Sequence, residues 1–275
     1  MSKKIHTFQS SDRKVFDEQV NKLLEYGCEL LDGSYAVIKK KKRHVYSQVV
    51  EIDTNNCDVE FYANGQVKYL VHLKKNGKKD GQWTEWHTTG EKKCEGAYKD
   101  GKKHGQWTEW KATYLQKSEG SYKDGKEEGL WTSWYVNGQK ASEGTYKYGK
   151  EEGLWTYWLE NGQIRSRGTY KDGKWDGLWT WFENLEKYLS ETYKDGLKDG
   201  LQTSWCDTGE KSQERHYKNG KLNGLCIEWH RNGKKYRKGT YKNGEADGLW
   251  TYWDENGQKL EEKTFKGWEM ISKKF

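Results

Sequence analysis

The hexapeptide Gly129-Leu130-Trp131-Thr132-Ser133-Trp134 recurs along most of the chain, and this recurrence limits the fold more than any other feature. Near-copies begin at Gly81, Gly105, Gly153, Gly177, Gly200, Gly224 and Gly248, with a step of 24 residues except for 23 between Gly177 and Gly200. A fixed period of this length is the mark of a repeat architecture, in which each unit is one supersecondary element stacked on its neighbours.

Each unit reads as a β-hairpin. Leu130 to Tyr135 alternates as a strand, Val136-Asn137-Gly138 is a turn, and Gln139 to Lys147 is a second strand. Asn-Gly at 137–138 is expected to form a tight type I′ turn. Asp-Gly or Asn-Gly, as at Asp100-Gly101, Asp124-Gly125, Asp172-Gly173, Asn219-Gly220 and Asn243-Gly244, then leads into the next hairpin. The second strand carries Gly-x-Tyr at Gly96, Gly120, Gly144, Gly168 and Gly239. Residues two apart share a face. A bare glycine weakens a strand unless a ring covers it, so a Trp from a neighbouring strand is expected to lie over each one.

The fold class is therefore mainly β: an elongated, twisted antiparallel meander of about eight or nine hairpins, which at about 4.8 Å per strand would run about 75–85 Å. Residues 56–80 form a worn first copy. There Phe61-Tyr62-Ala63-Asn64-Gly65 matches Trp134-Tyr135-Val136-Asn137-Gly138, with Cys57 at the glycine position and Val59 at the first Trp. The residues through Phe275 are expected to cap the last edge.

Residues 1–55 do not repeat and are expected to form a small α+β domain ahead of the array at 56–275. Val15, Phe16, Val20, Leu23 and Leu24 have helical spacing after Ser11-Asp12, and Gly27 is placed to end the helix. Ser34 to Ile38 and Val45 to Ile52 read as strands, with the basic run 39–43 as a solvated turn between them.

Only 32% of residues are hydrophobic, which taken alone would suggest disorder; 16 Trp and 19 Tyr argue against it. The apolar surface is concentrated in large rings. Net charge is +7, with 49 basic and 42 acidic residues interleaved, a solvated surface with a mild bias towards acidic partners. Cys28, Cys57, Cys94, Cys206 and Cys226 are scattered without a CxxC pair, which fits reduced thiols. No apolar signal segment follows Met1 and no run of 18 apolar residues occurs, so the expected location is cytoplasmic.

No phosphate-binding loop, dinucleotide fingerprint, nucleophile elbow or HExxH motif occurs, and the seven histidines neither cluster nor recur. The chain reads as a non-enzyme with no cofactor and no metal site. Two Trp three apart, as in most copies, fall on opposite faces of a regular strand. One sits in the core, and the other covers the second face or meets a partner. The candidate partner-binding row is Trp110, Trp134, Trp158, Trp181 and Trp253. Trp175 joins it as an extra ring in a turn that lacks one elsewhere.

The stretch from Asn137 to Trp158 closely resembles MORN repeats, in the longer-period variant of the bacterial YwqK antitoxin family. The resemblance covers about 80% of the chain. It implies hairpin arrays that act as protein-binding scaffolds, and a partner protein such as a toxin. Gly27-Cys28-Glu29-Leu30, in the order helix, glycine, strand, resembles the DUF1737 family, which carries no known activity. Other readings are a carbohydrate or cell-wall binding module and attachment to an anionic membrane surface. The interleaved acids argue against a nucleic-acid partner.

Overall fold

The computed structural model describes residues 5–10, 46–51, 57–63, 66–74, 76–111 and 115–275. The helix and first strand expected within residues 11–38, and the basic turn expected at 39–43, lie outside them. The chain divides into two compact units, Met1–Glu128 and Gly129–Phe275. Among the described residues there is no helix.

In the first unit β1 (Ile5–Ser10) pairs antiparallel with β2 (Tyr46–Glu51). The strand expected at residues 45–52 is thus present, and its partner is the N-terminal segment. A meander follows: β3 (Cys57–Phe61), β4 (Val67–Leu73), β5 (Lys79–Trp86), β6 (Lys92–Lys99), β7 (Lys102–Trp110) and β8 (Leu115–Lys123). From β3 to β8, each strand pairs antiparallel with the next. The worn first copy is a true hairpin. Tyr62 donates to the Trp86 carbonyl at 2.8 Å, just as Tyr135 donates to that of Trp158 at 2.7 Å.

The second unit begins within β9 (Lys126–Tyr135) and continues through β10 (Lys140–Lys147), β11 (Lys150–Trp158), β12 (Ile164–Lys171), the short β13 (Lys174–Trp175) and β14 (Gly177–Glu183). Next come β15 (Glu186–Lys194), β16 (Leu197–Trp205), β17 (Lys211–Lys218), β18 (Lys221–Trp229), β19 (Lys235–Lys242), β20 (Glu245–Trp253), β21 (Lys259–Lys266) and β22 (Glu269–Lys274). Pairing is again antiparallel between chain neighbours, with β12 bonded to both β13 and β14. The expected hairpin meander is met in each unit, and the C-terminal segment adds a strand, β22.

The two kinds of turn differ. At Asp172-Gly173 both residues have positive φ, 51° and 79°, the two-residue type I′ geometry. The Asn137-Gly138 turn, expected to be of this type, is not. Only Gly138 has positive φ, its N–H donates to the Tyr135 carbonyl at 3.0 Å, and the Tyr135 N–H donates to the Gln139 carbonyl at 2.8 Å. This is the three-residue loop with a left-handed last residue. Asn137 stays right-handed, and its side chain accepts from the Gln139 N–H at 3.0 Å. At Asn184-Leu185 the loop shortens to two residues, both with positive φ, and this removes the residue missing from the 23-residue step.

Repeats are tied together at their turns as well as along their ladders. The Gly173 N–H donates to the Glu151 carbonyl at 2.9 Å, and the Asp172 N–H to the Glu152 carboxylate at 3.0 Å. Asp80, Asp176 and Asp199 accept in the same way from Asp100, Asp195 and Asn219. In these four hairpins the acid before the motif glycine is thus an acceptor for the following turn.

Candidate functional site

The site is the face that the core leaves over, so the core comes first. Opposite Gly144 the neighbouring strand spends three residues, Gly153-Leu154-Trp155: the ladder passes from Glu143 with Thr156 to Thr145 with Glu152. Gly153 takes a φ of 71°, which lets the strand bulge there. The bulge turns Trp155 back over Gly144, and its indole N–H donates to the Thr145 carbonyl at 3.3 Å. The same arrangement recurs at Gly96 with Trp107, Gly168 with Trp179 and Gly239 with Trp250. The expected covering of a strand glycine by a Trp ring is therefore present at Gly96, Gly144, Gly168 and Gly239.

These first Trp residues are buried. The tyrosines of Gly-x-Tyr interleave with them edge-on, as in Tyr146–Trp155 at 5.1 Å and Tyr170–Trp179 at 5.2 Å, the favoured aromatic geometry. Tyr157 joins this face by donating to, or accepting from, the Tyr170 hydroxyl at 3.1 Å; burial and that bond push its hydroxyl well above the ordinary range.

In the second unit the glycine–tryptophan pairing is broken in two successive copies. Where Trp gives way to Gln202 and Cys226, the opposing glycine gives way to Glu191 and Arg215. Glu191 is bound by Lys198 and by the Tyr193 hydroxyl. Glu228 holds Arg237 at 2.8 Å and Arg215 at 3.0 Å. Burial opposes its charge, but the two guanidinium groups prevail and hold its carboxyl below the usual range. Glu191 and Arg215 thus take the glycine's place where no ring needs the space, whereas in the first unit Val71 stands opposite the ring of Trp83. Burial also pushes the Cys226 thiol up.

The second face carries Leu154, Thr156 and Trp158 from one strand, alternating with the core residues between them. Trp134, Trp158 and Trp253 lie on this face of the second unit, half-buried, and Trp110 holds the corresponding position in the first. Lysines stand near three of the rings: Lys92 at 6.0 Å from Trp110, Lys140 at 5.8 Å from Trp158 and Lys235 at 6.0 Å from Trp253. Trp181 and Trp175 do not belong to the row. Register pairs Trp181 with Ser166, as it pairs Tyr157, so Trp181 faces the core at 6.0 Å from Trp179. Phe182 holds the row position, with Arg167 at 5.5 Å. Trp175 stacks on Trp179 at 4.3 Å, where Lys79 and Lys103 cover Trp83 and Trp107 at 4.1 Å in other copies. Its ring is folded back on its own hairpin.

Sequence reasoning missed the most exposed part of the second face. Leu130, Leu154, Leu178, Leu201 and Leu249 occupy one register slot, and their exposures are 60, 60, 58, 37 and 53%. Each lies opposite Thr or His on the next strand: Thr145, Thr169, Thr192, His216 and Thr264. In β5 and β7 the slot holds Gln82 and Gln106. The alternation back from the second Trp through Thr to Leu was the available signal. Beyond the leucines, on the same face, lysines meet directly across the ladder: Lys147 with Lys150, Lys171 with Lys174 and Lys218 with Lys221. Facing like charges disfavour a sheet, and Asp172 of the neighbouring turn stands 3.8 Å from Lys150.

Among the described residues no group of three or more His, Cys, Asp and Glu side chains is placed to hold a metal ion, and no helix is long and apolar enough to cross a membrane. No curated protein matches the chain. Residues 127–148, 151–172, 222–243 and 246–266 match the family described as MORN repeat variant. Between the matched segments lies 173–221, which contains Trp175, Trp181, the shortened turn and the first substituted glycine–tryptophan pair. These four segments are similar to MORN repeats of the variant type.

Proposed function

We propose that the protein is a non-enzymatic binding scaffold for another protein, of the antitoxin, immunity or adaptor kind, and that it works in the cytoplasm through the second face of its hairpins. The observation that carries this reading is the row of leucines left exposed at one register slot, with the half-buried Trp134 and Trp158 beside it. The core does not need this slot filled by an apolar side chain, since Gln82 and Gln106 occupy it elsewhere. Repeated exposed apolar side chains with polar borders are a feature of interaction surfaces. MORN repeats, as binding repeats, agree with it. Similarity to the YwqK antitoxin family would make the partner a toxin.

The test is a pull-down of the tagged full chain from its native cytosol, at moderate salt and with nuclease present. One protein recovered in stoichiometric amount, and lost when Trp134 and Trp158 are changed to Ala in a variant that keeps its circular dichroism, is the expected result. Recovery of the bare chain would overturn the reading. The lysine pairs beside the leucines favour one alternative, an anionic membrane surface; binding to anionic vesicles that falls as salt is raised would support it.

A further inference from the structure

We propose that Leu130, Leu154 and Leu178 form a docking track for an amphipathic helix with one acidic flank. This deepens the scaffold reading, on which it rests, by naming the chemistry of the partner. All three leucines lie in the second unit, on β9, β11 and β14, separated each time by one intervening strand, β10 or β12. Two strand spacings make about 9.6 Å. Two turns of an α-helix, seven residues at about 1.5 Å each, advance about 10.5 Å. A helix laid across the strands therefore meets successive leucines with residues i, i+7 and i+14. Sheet twist accumulates by about 20–25° per strand, which limits one straight helix to about three leucines.

Charge fixes the flank. Thr145 lies opposite Leu130 and Thr169 opposite Leu154; two residues farther along their strands are Lys147 and Lys171. Each of these faces another lysine, Lys150 and Lys174, and all four are exposed. The lysine row runs parallel to the leucine row at about 7 Å, two residues along a strand. This is within reach of the side of a helix whose diameter is about 10 Å. Asp172 already stands 3.8 Å from Lys150, and an acidic side chain of the helix would add to that relief of the facing like charges. Along the opposite border Glu143 and Arg167 alternate in sign, so that side does not select a charge. Helix-in-groove recognition uses this combination of an apolar stripe with a charged margin.

The probe is a labelled 18-residue helical peptide with Leu at i, i+7 and i+14 and Glu along one flank, titrated into the full chain by fluorescence anisotropy. A second peptide keeps the leucines and carries Lys in place of Glu. Saturable binding of the acidic peptide, at least tenfold tighter than the basic one, is expected. L130Q/L154Q/L178Q, which puts the Gln82 and Gln106 residue type into the slot, is expected to weaken binding at least tenfold while leaving the unfolding transition in place. K171E/K174E is expected to reduce the preference for the acidic peptide at least tenfold. Equal binding of both peptides, binding of neither, or retention of binding by the leucine variant overturns the proposal. So does sedimentation showing a dimer of the wild type that becomes monomeric in the leucine variant, because a second copy would then cover the track. Leucine-dependent capture on anionic vesicles without peptide binding would assign the row to lipid and likewise overturn it. If the peptides fail while the cytosolic partner is still recovered, the scaffold reading stands and only the helix is wrong.

Discussion

Trp155 lies so close over Gly144 that a Cβ on the glycine would sit 2.0 Å from the indole Cδ2. The strand glycine is therefore the seat of a ring, and its removal should be felt through that ring. Gly144→Ala is expected to destabilise the protein by about 1–3 kcal/mol, the cost of overpacking a filled site. In a Trp155→Cys background the same change should cost much less, because Arg215 opposite Cys226 shows that the site accepts a side chain once the ring is gone. Urea unfolding of the four proteins gives the coupling energy, expected to exceed about 1 kcal/mol. Additive effects would mean that the two residues are not in contact in solution.

Adjacent residues on opposite faces should respond very differently. Trp155 is buried and Leu154 is 60% exposed. Trp155→Ala is expected to cost about 3–5 kcal/mol through the cavity it leaves. Leu154→Gln should change stability by no more than about 0.5 kcal/mol, as expected for a surface position. Thermal unfolding of both variants checks this. A large loss from Leu154→Gln would place the leucine row in a covered core.

Much of this architecture was legible from period alone. The 24-residue step, two strands per step and the strand glycines with their rings all follow from alternation and residue size. Facing was harder, because a bulge changes which residues share a face. The three residues Gly153-Leu154-Trp155 opposite Gly144 decide that Leu154 points away from the ring beside it. Trp181 was grouped with the second Trp by residue type, whereas register puts Phe182 in that place. Asn-Gly suits both kinds of turn, so the dipeptide did not decide between them; the side-chain bond from Asn137 to the Gln139 N–H belongs to the longer loop. The leucine row was hidden inside the repeated motif, where a recurring apolar residue reads as core.

The shortened turn carries a local cost that substitution can remove. Leu185 has a φ of 71°, a conformation that an L-residue adopts only with strain. Leu185 is also 70% exposed, so its side chain is not held by packing. Leu185→Gly is expected to stabilise the protein by about 1 kcal/mol. Differential scanning calorimetry should show a higher Tm, and a lower one would mean that the exposed leucine makes contacts worth more than the strain.

Glu228 makes the polar break in the ladder sensitive to acid. Its carboxyl is held below the ordinary range: burial works against the charge, and hydrogen bonds from Arg237 and Arg215 outweigh it. A carboxyl depressed in the folded state stabilises the fold above its unfolded value, near pH 4.5. That stability is lost as pH falls through the lower folded value. Glu228→Gln leaves two guanidinium groups without their counter-charge and should cost about 1–3 kcal/mol at pH 7. The difference from the wild type should shrink below pH 4.5 as the native carboxyl takes up its proton. Urea midpoints measured for both proteins between pH 7 and pH 3 supply the comparison. A difference that stays constant across that range would show that the arginines, once assembled, do not depend on the charge of Glu228.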